Sequence, residues 1–303
     1  MVEREAAQGD NDVAADLIAV LVAVTGAEPR VLTIQNASAL PSGAFQMVHR
    51  SLQSGLRAWV ERQTHHPLGY VEQLYTFADR DRVRGAGFHV ISISYLGLTR
   101  EADPAAGDAG WRNWYDFFPW EDHRAGVPEV IGKVILPRLE EWASAGPDRR
   151  GRQQRVVITF PAAGGWNEEL VLQRYELLYE AGLVAEGGGG EAALGQSMVS
   201  DHRRILATAI ARLRAKIKYR PVVFELMPPS FTLLQLQRTV EAIAGRLLHK
   251  QNFRRLIEAQ ELIEETGETS LETGGRPAKL FRFRRDVVAE RAVMGSKLPL
   301  SRS

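Results

Sequence analysis

The sequence predicts an α+β protein of two domains, and three observations carry that reading. Before residue 200, short runs alternate apolar and polar residues with the period of half-buried strands. After it, two short helical patterns are followed by a pair of strands. Charge divides at the same place. From Asp201 onward 20 Lys and Arg face 11 Asp and Glu, a net of +9, whereas 18 and 26 precede it, a net of −8; the two sum to the chain's +1. Such a split points to a polyanion partner for the basic half.

The length of 303 residues suits two modest domains, and 45% hydrophobic with 25% charged residues is ordinary globular composition. Cysteine is absent, which excludes disulfides and thiolate metal sites and fits a reducing compartment. The longest apolar run, 13–24, is interrupted by Asp16 and is too short for a bilayer span. With no secretion signal visible, a cytoplasmic protein without membrane contact is expected.

Residues 1–12 are polar and read as a disordered tail. The first domain, 13–199, has strands expected at 31–35, 70–77, 89–95 and 156–160, and helices at 46–63 and 167–182, with Gly182 past the end of the second. Between strands lies an insertion, 100–153, which holds the aromatic run Trp111 to Trp120. Gly187 to Gly190 reads as a flexible turn, since no Gly-Lys-Ser/Thr follows to make a phosphate loop.

The second domain, 200–303, opens with a helix capped by Asp201. Its apolar positions Leu206, Ile210, Leu213 and Ile217 recur at helical spacing, and Pro221 ends it. Pro228 and Pro229 make a stiff turn. Thr232 stands three residues before Gln235, the spacing of a capping box. The helix that follows buries Leu233, Leu236, Val240 and Ile243, and Gly245 stops it. A shorter helix, 249–259, buries Phe253, Leu256 and Ile257 and turns Lys250, Gln251, Arg254 and Arg255 outward. Strands at 262–265 and 278–283 flank a loop ending in Gly274-Gly275-Arg276-Pro277.

Helix, turn, helix and hairpin in this order make a winged helix-turn-helix, whose second helix fits a major groove. Lys250, Gln251, Asn252, Arg254 and Arg255 carry the donors that read bases or grip phosphates, with Thr232 and Gln235 at the head of the preceding helix. Arg276 and Lys279 would place the wing on the backbone or in the minor groove. The competing reading is a winged helix used for protein contacts alone.

In the first domain the residues resemble the Nudix hydrolases, whose signature is G-x5-E-x7-R-E-U-x-E-E-x-G-U with U a bulky apolar residue. In that family the helix presents carboxylates to magnesium, which activates water against a diphosphate. Counting from Gly43, His49 stands at the first Glu and Arg57 at the Arg. Ala58 replaces a Glu, Trp59 is the apolar residue and Glu61 matches a Glu. Arg62 and Thr64 replace the next Glu and Gly. The frame is kept and most of the ligands are gone, so no metal site and no catalytic residues are expected. Arg57 and Glu61 also read as an ion pair across one helical turn.

A Nudix-like α/β/α sandwich domain followed by a winged helix resembles the Nudix-related transcriptional regulators of NAD metabolism. The segments 40–43 (LPSG), 72–77 (EQLYTF), 202–206 (HRRIL), 216–219 (KIKY), 224–226 (FEL) and 275–281 (GRPAKLF) carry that likeness. The Trp-rich segment and eroded signature look closer to the branch that represses NAD biosynthesis genes. The resemblance implies a homodimer, a double-stranded operator, and an adenine nucleotide effector such as ADP-ribose, NAD or ATP. Without a metal, phosphates need cations, and Arg50, Arg57, Arg62, Arg80 and Arg82 lie near the expected cleft. Trp111, Trp114 and Tyr115 could stack on an adenine or nicotinamide ring, although Trp111, Trp114 and Trp120 also read as core or as a dimer contact. The alternatives are a pyrophosphohydrolase of ADP-ribose-like substrates and a protein-interaction adaptor.

Overall fold

The computed structural model describes residues 13–66, 68–69, 71–78, 83–84, 88–102, 108–145, 147–162, 165–219, 222–270 and 277–284. The expected tail 1–12 lies outside them, as do Arg80, Arg82 and Arg276.

The long apolar run becomes the central strand β1 (Val13–Thr25). Successive side chains of a strand point to opposite faces, and here both faces are apolar. Ile18, Val20 and Val22 join one core and Leu17, Ala19, Leu21 and Ala23 the other. A two-residue turn, Gly26 (φ 61°) and Ala27 (φ 62°), folds the chain back into β2 (Glu28–Thr33). Both φ values are positive, as a tight antiparallel hairpin requires. β3 (Ser42–Ala44) pairs with β1, and α1 (Leu52–Thr64) follows. β4 (Val71–Phe77) and β5 (Val83–Arg84) both pair with β6 (Phe88–Leu98). β7 (Gly110–Asn113) closes the far edge. The path runs β4-β6-β1-β2-β7, with β1 and β6 parallel.

One face of the sheet is covered by α1 through Leu56 and Val60. The other meets a helical layer through the helices at 202–219 and 233–244, on which the remaining helices pack. That layer holds α2 (Leu136–Ala145), α3 (Arg149–Thr159) and α4 (Val171–Glu180). It continues with α5 (His202–Tyr219), α6 (Leu233–Ala244) and α7 (Lys250–Ala259). β8 (Ile263–Ser270) and β9 (Ala278–Phe283) form the hairpin, and Phe231 bridges to Phe281 beside it.

Four expectations need correction. The first helix starts at Leu52, six residues later than its expected start at 46, because Ser51 caps it through a reciprocal pair with Ser54. Residues 46–49 form a turn in which Gln46 N donates to His49 Nδ1 at 3.0 Å. The expected strand 156–160 is the end of α3. Val156 and Phe160 lie inward four residues apart while Val157 and Ile158 are exposed, so tertiary packing overrides β-branched propensity. Consequently 100–153 does not lie between two strands: it supplies β7 and then opens the helical layer. Leu256 is 55% exposed, because α7 seats Phe253 and Ile257, one turn apart, on the core. The 187–190 run is a turn, with Gly188 at φ 91°.

Candidate nucleic-acid interface

α7 places its polar residues by seating its apolar ones. Phe253 is buried and Ile257 half-buried, so Lys250, Gln251, Asn252, Arg254 and Arg255 all face solvent. Its start is fixed by the preceding turn. Gly245 ends α6 at φ 71°, and Glu241 Oε1 accepts from Leu248 N at 2.8 Å and from Gln237 Nε2 at 2.9 Å. Gln237 Nε2 also reaches Leu248 O at 3.0 Å. These bonds satisfy the Leu248 backbone and pin the turn leading into α7 to side chains of α6.

At the head of α6 the capping box forms as its spacing predicts. Gln235 Oε1 accepts from Thr232 N at 2.7 Å, and the Thr232 hydroxyl from Gln235 N at 3.2 Å. Thr232 is buried, so its hydroxyl serves the cap and not the outer face, whereas Gln235 is exposed. On the hairpin, Lys279 Nζ pairs with Glu265 at 2.8 Å and Arg282 with Glu264 at 2.7 Å. These are exposed pairs, weak enough to yield to a phosphate.

Part of the charge split is internal. Arg203 and Arg214 on α5 are fully buried. Arg203 pairs with Glu186, Arg204 with Glu176 and Lys216 with Glu72. These four cations answer acids of the first domain, and α7, not net charge, marks the outward basic face.

In the first domain the signature positions perform packing. A Cβ on Gly43 would lie 2.1 Å from the Trp59 indole, whose Nε1 donates to Ala44 O at 3.0 Å. Arg57 does not pair with Glu61. Its guanidinium donates to Leu68 O and, at 2.8 Å, to Gly69 O, tying the chain after α1. Arg62 stacks 4.3 Å from the Trp59 ring centre. Arg50 and Glu61 are exposed. Trp111 is buried, donates to Ala102 O at 3.0 Å and meets His66 edge-on, while Trp114 and Trp120 have no exposed surface. Among the described residues no group of three His, Asp or Glu could hold a metal ion.

The segments that carry the family resemblance meet in space. Leu40 N donates to His202 Nδ1 at 2.9 Å, and Lys216 reaches Glu72. Between them lies a polar junction that the sequence reading passed over. Glu121, 1% exposed, receives Arg174 at 2.5 and 2.9 Å and Arg214 at 2.6 Å. Burial pushes the Glu121 carboxyl up, but the two guanidiniums outweigh it and hold the group below the usual range. Arg214 Nε also donates to Ile243 O at 2.9 Å, Tyr115 Oη to Ala242 O at 2.7 Å, and His123 N to Gly245 O at 2.7 Å. The last carbonyls of α6, which a helix leaves open, are thus closed by donors from α5 and from the segment 115–123. The signal was an arginine on an apolar stripe: Arg174 between Val171 and Leu178, and Arg214 beside Ile210 and Ile217.

Comparisons agree with this architecture. Residues 223–283 match the family model of the NrtR DNA-binding winged helix domain. An ADPR responsive transcriptional repressor, NtrR, of Acinetobacter baylyi is 42% identical over 151 residues, 50% of this chain. The match spans 58% of that relative's length. Shewanella oneidensis NrtR, solved with a 27mer DNA, superposes with a TM-score of 0.56 at 19% identity, over 91% of this chain and 95% of its own. A MutT/nudix family protein from Enterococcus faecalis gives 0.55 at 18%, over 94% and 89%. The fold is a mixed α/β Nudix-like domain followed by a winged helix domain.

Proposed function

We propose that this chain is a transcriptional repressor of NAD biosynthesis genes, working as a cytoplasmic homodimer. Operator DNA is read by α7, and an adenine nucleotide is sensed by the domain at 13–199. The domain at 200–303 carries the DNA contacts. The observation that carries the reading is the outward row Lys250, Gln251, Asn252, Arg254 and Arg255 on a helix anchored by Phe253 and Ile257. An exposed guanidinium pair beside two side-chain amides can grip phosphates and read base edges. Gln235, Lys279 and Arg276 belong to the same proposed set.

ADP-ribose is the effector we favour over NAD or ATP, because the Acinetobacter relative is described as ADPR responsive. Arg50 and Arg62 are the described cations left for its phosphates, and Arg80 and Arg82 complete the proposed set. Hydrolysis is not assigned. Magnesium-assisted attack on a diphosphate needs several carboxylates, and α1 offers Glu61 with Arg62 next to it. The test is a duplex-binding titration of the intact chain with ADP-ribose, NAD and ATP in turn. The proposal expects one of them to change affinity without being consumed. Magnesium-dependent turnover of ADP-ribose would replace it with the hydrolase reading, and absence of duplex binding at low salt with the adaptor reading.

A further inference from the structure

We propose that Tyr115, Glu121 and Arg214 form the joint through which the first domain sets the orientation of the duplex-reading helix. The inference rests on α7 as that helix and on the first domain as the sensor. Its physical basis is where the bonds fall. Gln237 and Glu241 of α6 bond Leu248 in the turn before α7, and Phe253 and Ile257 seat α7 on the same core, so moving α6 moves α7 with it. The end of α6 is in turn bonded by Tyr115 Oη at Ala242, Arg214 Nε at Ile243 and His123 N at Gly245. Tyr115 stands two residues after the edge strand β7 and His123 ten, beyond two short helical turns, so a displacement of the sheet edge is passed to the end of α6 along one segment.

Glu121 makes the joint stiff. One carboxylate bridges Arg174 on α4 and Arg214 on α5, and Arg214 Nη2 also reaches Glu121 O at 3.2 Å. Gly245 lets the helix end approach: a Cβ there would meet Glu121 O at 2.4 Å and Tyr115 Oη at 2.9 Å. Buried charged groups that are fully bonded specify one arrangement and leave nearby alternatives with unpaired charge. A coupling element needs two discrete arrangements, and for this contact the second would be the broken one. Glu121 is a positioning residue here, since it is buried and bonded to Arg174 and Arg214.

The test is a distance between domains. The chain has no cysteine, so Gln53→Cys on α1 and Glu258→Cys on α7, both exposed, take spin labels without competition. Pulsed electron resonance on the intact chain, diluted in unlabelled protein, reads the separation. The parent should give one narrow distance. Glu121→Gln and Tyr115→Phe should each lose it in favour of a broad distribution, and ADP-ribose should no longer alter duplex affinity in either. Should Glu121→Gln fail to fold, Tyr115→Phe decides, because it removes a single hydroxyl and keeps the ring. Both variants giving the parent's narrow distance would overturn the joint. A parent indifferent to ADP-ribose would remove the sensing proposal and leave the distance measurement to judge the joint.

Discussion

Replacing Gly245 with alanine probes the junction at its tightest point. Two costs add there. The residue sits at φ 71°, in the left-handed region, where an L side chain costs about 1–2 kcal/mol. The new methyl would also lie 2.4 Å from Glu121 O, 2.6 Å from Arg214 Nη2 and 2.9 Å from Tyr115 Oη. Backbone and a bonded guanidinium give way poorly, and overpacking of this kind costs about 1–3 kcal/mol. The sum is about 2–5 kcal/mol. Gly26→Ala separates the two parts, because Gly26 has φ 61° with nothing within 4 Å of the added carbon. It should lose the conformational part alone. Urea unfolding of both variants, followed by midpoint with the slope checked for constancy, gives the comparison. Equal losses would refute the close approach of Gly245 to Glu121.

Other expectations follow from the same geometry. Thr232→Ala removes one half of the capping box and should cost about 1 kcal/mol in urea; no change would mean that Gln235 alone caps α6. Burial lowers the pKa of His66 and of His123 below the ordinary value of about 6.5. The unfolded chain therefore takes up protons first as pH falls. The stability that these histidines contribute is full above that value and is lost as pH drops toward their folded pKa. The unfolding midpoint should be lower at acidic than at neutral pH, and His123→Gln should narrow the gap; a flat profile would contradict the burial. Millimolar magnesium should leave the melting temperature unchanged, whereas a rise would reveal a cation site on or near the signature helix.

How far the fold could be read from sequence depended on where local and tertiary signals agreed. The capping box at Thr232 and Gln235 and the stop at Gly245 are short-range, so spacing alone placed α6. The apolar run at 13–24 announced burial but not its kind, because a strand buried on both faces and a buried helix look alike in hydropathy. Residues 156–160 misled for the opposite reason: a β-branched run was carried into α3 by its inward Val156 and Phe160. The Arg57 and Glu61 pair had correct helical spacing, yet the carbonyls of Leu68 and Gly69 competed for the guanidinium and won.

The candidate site divides in the same way. The outward face of α7 was legible, since amphipathic spacing decides which residues a short helix exposes. The junction was not, because Tyr115, Glu121, Arg174 and Arg214 are scattered along the chain and only the packed helices bring them together. Net charge was the least informative signal. Counting cations after residue 200 could not separate Arg254 and Arg255, which face solvent, from Arg203 and Arg214, which are buried in the junction and its surroundings.

The most direct measurement starts from a pool of random duplexes enriched by the intact chain. The enriched duplex is then titrated against the parent and against Arg254→Ala and Arg255→Ala over a range of salt. Expected are a single enriched motif, affinity that falls as salt rises, and a loss of about 1–3 kcal/mol for an arginine that contacts a base. A pool that yields no motif, or two variants that bind as the parent does, would contradict the duplex-reading role of α7.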